Sequence, residues 1–141
     1  MKLKLYSVHQ SSLGLDANIV AGLIYIVPGL IGLLFEGLSP YTFILPVLLY
    51  FLEKKSDLVR FHALQYLALS LASNLINAIL YFGSLKSDIF FMIAYYLGSG
   101  VTLTFFGFLI YAFVKALCWR SWRVPLLGAL VSKIIGEEID Q

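Results

Sequence analysis

The sequence predicts an all-α membrane protein: four transmembrane helices, the first two forming a short hairpin, followed by a C-terminal interfacial amphipathic helix. Three observations lead there. Hydrophobic residues make up 60% and charged residues 13% of the 141-residue chain, against about 45–50% and about 25% in soluble domains. The charges are segregated, with only Glu36 between Asn18 and Leu52, and only Lys86 and Asp88 between Phe61 and Val114. The apolar stretches so defined approach the about 20 helical residues needed to cross a hydrocarbon core about 30 Å thick. A soluble domain of this size needs more polar residues on its exterior than this chain owns. The length fits a single domain, residues 1–141.

The elements follow in order. Residues 1–16 read as a polar N-terminal arm, basic at its start but without an apolar run that a cleaved signal would need. Asp16 or Asn18 is positioned to cap the first helix, expected over 17–35. There Asn18, Gly22, Tyr25, Gly29 and Gly32 recur every three or four residues, which lines one side with small and polar groups and permits close helix approach in lipid. Pro28 removes one helical amide. Glu36-Gly37-Leu38-Ser39-Pro40 reads as a turn. The second helix is expected over 41–55, although its apolar part, Tyr41 to Leu52, rises only about 18 Å. It either crosses thinly with Lys54 and Lys55 snorkelling, the reading adopted, or dips part-way as a hairpin with the first.

The third helix, 58–82, carries His62, Tyr66, Ser70, Ser73, Asn77 and Tyr81 on one face, with Gln65 and Asn74 beside it; such a face meets protein or water rather than lipid. The fourth, 89–118, would rise about 45 Å as one helix, so either its first turns lie at the surface or it breaks near Gly98-Ser99-Gly100. Tyr96, Gly100, Thr104, Gly107 and Tyr111 form a stripe expected to pack against the first helix. Trp119, Arg120, Trp122 and Arg123 suit the headgroup layer. Residues 125–136 then read as the interfacial helix, before an acidic end.

Nine of the ten Lys and Arg residues fall on the side shared by the arm, the 53–60 connector and the chain after Lys115. The positive-inside bias therefore places the protein in the cell membrane, multi-pass, with both termini cytoplasmic. A net charge of +2 argues for no nucleic-acid partner. Cys118 is the sole cysteine, which excludes an internal disulfide and a CxxC redox site.

The connector supplies the candidate site residues. Arg60 suits a phosphate or lipid headgroup, while His62 and Gln65 either hydrogen-bond a partner or close the cytoplasmic end of the bundle. Asn74 and Asn77 sit mid-membrane, where amides bridge helices or touch a translocated solute; bridging is the reading adopted. Gly100, Thr104 and Gly107 are structural or partner-contact candidates. No zinc, phosphate-loop or serine-nucleophile pattern has its needed context, so no catalytic residue, metal or cofactor is expected. A lipid-headgroup enzyme built on Asp57, Arg60 and His62 is set aside, because three polar residues at a helix start are too little for it.

Ser11-Ser12-Leu13-Gly14-Leu15, then Asn18, Ala21, Leu23 and Tyr25, Glu53-Lys54-Lys55, and Val59-Arg60-Phe61-His62-Ala63-Leu64-Gln65 form a pattern, with Pro125-Leu126-Leu127-Gly128, Lys133-Ile134 and Gly136 in the tail. It resembles a family of small, largely uncharacterised prokaryotic multi-pass membrane proteins similar to the roughly twenty-kilodalton membrane subunit of the chloroplast inner-envelope protein-import translocon. The chain departs from that pattern at Leu117 and Trp119, where a tyrosine and a glycine are usual. The resemblance implies four transmembrane helices and, for the plastid relative, a part in moving preproteins. The resulting expectation is a non-enzymatic integral membrane protein, a subunit or accessory of a transport or protein-translocation assembly. Its expected partners are membrane lipid and either further copies of itself or another membrane protein. The alternative is a small oligomeric transporter or channel for an unidentified solute.

Overall fold

A computed structural model describes residues 4–35, 41–85, 87–124, 127, 131, 133 and 134. It is an all-α helical bundle in which a two-residue antiparallel pair ties the arm to the chain after the last helix. The order is β1 (Lys4–Leu5), α1 (Ala17–Leu34), α2 (Ile44–Leu52), α3 (Asp57–Ser84), α4 (Asp88–Leu117) and β2 (Arg120–Ser121). Lys4 pairs with Ser121 and Leu5 with Arg120.

The long α3 and α4 form an antiparallel hairpin that is the spine of the bundle; α2 lies on α3, and α1 leans on both. Their starts are set locally. Ser56 and Ser87 have extended backbones, and their hydroxyls accept the amide hydrogens of Val59 (3.3 Å) and Phe90 (3.4 Å), satisfying a free donor of each first turn. Asp57 and Asp88 occupy the first turns and Lys115 the last turn of α4, the signs that suit the helix dipole. Pro46 sits in the first turn of α2, where its missing amide is no loss. After α4 the chain reverses through Trp119 at a φ of 59°, a left-handed position of the kind that commonly ends helices.

The buried core lies at one end. Ala17, Val20, Ala21 and Ile24 of α1 meet Leu58, Val59 and Ala63 of α3 and Ala112 and Ala116 of α4, and Trp122 and Val124 close over them. The far halves of α3 and α4 are different: Leu71 and Leu103 are 68% and 71% exposed. Both helices are long and apolar enough to cross a membrane. Hydrocarbon is the solvent that tolerates such surfaces on helices about 42 and 45 Å long, and this is a membrane-embedded helical protein.

Several expectations meet a different geometry. The second helix ends at Leu52, because Glu53 turns extended and its carboxylate is used elsewhere. The fourth helix is continuous through Gly98-Ser99-Gly100. Asp16 makes no capping bond; Asn18 instead accepts the Ile19 amide hydrogen at 2.9 Å and donates to the Leu117 carbonyl at 3.0 Å, tying the two helix ends together. Trp122 turns inward rather than toward headgroups, its ring 4.5 Å from Tyr111 and 5.8 Å from Phe108. The turn at 36–40 lies outside the described residues. So does most of the interfacial helix expected over 125–136, of which Leu127, Val131, Lys133 and Ile134 are described and helical.

Candidate functional site

At the core end, short polar residues organise three chain segments around Glu53. Its carboxylate, 4% exposed, accepts the Ser12 amide (3.0 and 2.9 Å), the Ser12 hydroxyl (2.6 Å) and the amides of Lys55 (2.8 Å) and Ser56 (3.0 Å). The Ser12 hydroxyl oxygen in turn accepts the Lys54 amide at 3.0 Å. Burial works to raise the Glu53 pKa, but the hydrogen bonds from Ser12, Lys55 and Ser56 outweigh it and hold the carboxyl below its ordinary range. His9 extends the clasp: one ring nitrogen donates to the Ser7 carbonyl (2.7 Å), and the other meets the Ser56 hydroxyl (2.7 Å). Its ring lies 5.4 Å from that of Trp119. The arm is therefore docked, not a loose leader into α1.

One turn into α3, His62 is fully buried between three elements. Its Nε2 lies 3.2 Å from the Arg120 carbonyl and its Nδ1 2.8 Å from the Tyr25 hydroxyl. A carbonyl only accepts, so Nε2 carries the proton, and Nδ1 of the neutral ring accepts from Tyr25. His62 thus joins α1, α3 and β2. Gln65 is also fully buried, facing Tyr25, yet neither of its amide atoms reaches a partner at hydrogen-bonding geometry. Arg60 lies toward the rim: its guanidinium sits 5.0 Å from the Tyr50 ring centroid, with Asp57 at 3.9 Å.

Farther along α3, the polar face lines a chamber of about 380 Å³ where Tyr66, Ser70, Ser73 and Asn74 look across to Thr102 of α4 and Thr42 before α2. Asn77 lies one turn beyond and donates to the Thr102 hydroxyl at 3.3 Å. Gly100, Thr104 and Gly107 are not brought to α1. A Cβ at Gly100 or Gly107 would meet nothing within 4 Å, and the Thr104 hydroxyl donates back to the Gly100 carbonyl of its own helix at 2.8 Å. The α1–α4 seam is made instead at Gly22, against Leu117 and Phe113. Sequence reasoning missed Ser12, Glu53 and His9 as a unit. The available signal was an acidic residue followed within three positions by a Ser-Asp helix start.

Among the described residues no group of three or more His, Cys, Asp or Glu could hold a metal ion. No curated protein and no solved structure matches the chain. Residues 16–131 match the magnetosome magnetite crystal formation protein family. That match overturns the expected kinship with the uncharacterised, translocon-like family. The residues behind that expectation, His62, Asn18 and Tyr25 among them, hold the basic end of a small bundle together, and such packing demands do not specify a lineage. Over most of its length, therefore, the membrane-embedded chain belongs to the magnetosome magnetite crystal formation protein family.

Proposed function

We propose that the protein serves magnetite crystal formation as a membrane scaffold, holding a partner or further copies of itself through its helix faces while its basic end anchors to one membrane surface. Family membership is the observation that carries this reading. The transport or translocation assembly expected from sequence narrows to the membrane assembly in which the crystal grows. Both termini on the cytoplasmic side fit the bundle whether the nine-residue α2 crosses thinly or dips part-way with α1, since Lys4, Lys54, Lys55, Arg60, Lys115, Arg120 and Arg123 gather where the arm, the 53–56 connector and β2 converge. The connector between α3 and α4 then faces the crystal compartment. Arg60 meets lipid headgroups, Asn77 bridges helices, and Gly100, Thr104 and Gly107 offer a close-approach face to a second helix. A solute pathway would have to pass the buried layer of Tyr25, His62 and Gln65, which favours the scaffold.

The test is deletion of the coding sequence in a magnetite-forming cell, with complementation by the intact chain. Altered crystal size or number, restored by complementation, is expected; unchanged crystals overturn the reading. Topology is checked separately in sealed vesicles. With Cys118 replaced by serine, single cysteines at Lys55 and Ser87 should label from opposite faces.

A further inference from the structure

The polar chamber has an apolar neighbour. Tyr66, Phe106 and Leu109 line both the 380 Å³ chamber and a second one of about 290 Å³, which is completed by Tyr25, Ile26 and Gly29 of α1 with Ile110 and Phe113 of α4. Among the described residues neither chamber is lined by a formal charge. The first offers hydroxyls and one amide: Tyr66, whose hydroxyl is engaged by Ser70 and Thr42, together with Ser73, Asn74 and Thr102. It also presents the rings of Phe43, Phe105 and Phe106. The second is almost wholly apolar.

Two chambers on either side of a shared wall, one polar and aromatic and the other greasy, match an amphiphile. Uncharged walls in a low-dielectric setting exclude an ionic headgroup, since a bare charge there has no partner. Side-chain donors without a counter-charge suit carbonyl acceptors, and the phenylalanines suit a flat ring. Depth agrees. Tyr66, Ser70 and Asn74 stand nine, thirteen and seventeen residues beyond Asp57, about 14 to 25 Å along the helix, so the polar chamber lies within a core about 30 Å thick. Its volume reaches the low end of the about 300–1,000 Å³ typical of ligand pockets.

We propose that the paired chambers form one binding site for a prenylated quinone, an uncharged, planar, carbonyl-bearing membrane molecule. Its ring sits among Tyr66, Ser70, Asn74 and Thr102, and the first part of its chain passes the Phe106 wall toward α1. The site is independent of the scaffold reading, and binding is measured without reference to crystals.

The test uses the full chain in nanodiscs of uncharged phosphatidylcholine. A ubiquinone with two isoprene units is titrated against it, with monoolein as the carbonyl-bearing but ringless comparator, and stoichiometry is read by native mass spectrometry. One quinone per chain is expected, with monoolein at least tenfold weaker. Asn74→Leu should weaken quinone about tenfold, the loss of one hydrogen bond. The small Ser73→Ala change keeps the fold and should weaken it severalfold, while Leu71→Ala, on another face of α3, should leave it unchanged. Absence of quinone binding, preference for monoolein, or equal affinity in all three variants overturns the proposal.

Discussion

The carboxylate of Glu53 holds the amide and hydroxyl of Ser12 across forty-one positions of sequence, at 2.6 to 3.0 Å. This clasp, and not the two-residue β1–β2 pair, fixes the arm to the start of α3. Glu53→Gln keeps the shape but removes the charge and replaces acceptor capacity with donors. The expected result is faster hydrogen exchange at the Ser12 amide and a stability loss of about 1–3 kcal/mol. Unchanged exchange would show that the strand pair suffices.

The same clasp sets a pH dependence. Glu53 titrates below its ordinary value of 4.5 in the folded chain, so its stabilising contribution is complete above that value and is lost as pH falls through the lower folded pKa. The Glu53 contribution to arm protection should be flat from pH 7 to 5 and be lost in stronger acid. In Glu53→Gln that acid-dependent step should vanish. Exchange of the arm peptides by mass spectrometry, run from pH 7 to 3 on refolded detergent samples, reads both.

His62 predicts an asymmetry. His62→Leu removes the imidazole from between the Tyr25 hydroxyl and the Arg120 carbonyl and leaves that hydroxyl only its long 3.4 Å bond to the residue-62 carbonyl, a loss of about 1–3 kcal/mol. Tyr25→Phe leaves only Nδ1 without a donor. Thermal unfolding in detergent should therefore rank wild type above Tyr25→Phe and Tyr25→Phe above His62→Leu. The double variant should cost less than the sum of the singles, because the two side chains share one bond.

What was legible in the sequence was whatever the solvent dictates. The extents of α3 and α4 follow from the apolar runs between charged residues, and the polar face from Tyr66 to Asn77 follows from helical period, because both are local arithmetic. The clasp was not legible. Ser12, His9 and Glu53 are ordinary loop residues until the fold brings them together, and a strand pair of two residues has no periodicity to read. Gly100, Thr104 and Gly107 show the limit most sharply. Spacing placed them on one face of α4 but could not say which neighbour that face meets; Gly22 took the seam because Phe113 and Leu117 stand on the other side of the helix. The family lay beyond reach for a related reason, since polar residues at a helix start answer first to burial.

Asn77 tests whether an intramembrane amide binds helices. Its Nδ2 donates to Thr102, and its Oδ1 stands 3.0 Å from where a Cβ on Gly98 would lie. Asn77→Leu should cost about 0.6–2 kcal/mol, the range for such bonds in membranes. Gly98→Ala should perturb the same bond from the other side by pushing the amide. The two effects should be less than additive in unfolding measurements; full additivity would separate Gly98 from the Asn77 bond.

Gly22 and Gly107 predict opposite behaviour from the same substitution. A Cβ at Gly22 already meets Leu117 at 3.0 Å and Phe113 at 3.3 Å. Those are side-chain tips that can shift, so Gly22→Ala should be nearly neutral. Gly22→Leu must part α1 from α4, at about 1–3 kcal/mol. Gly107→Leu enters open space, and removing a helical glycine favours the helix by several tenths of a kcal/mol, so monomer stability should hold or rise. If that outward face is where a second helix docks, the same Gly107→Leu change must weaken association in native-membrane cross-linking while Gly22→Ala does not. Cross-linking indifferent to Gly107→Leu would assign the outward face of α4 to lipid alone.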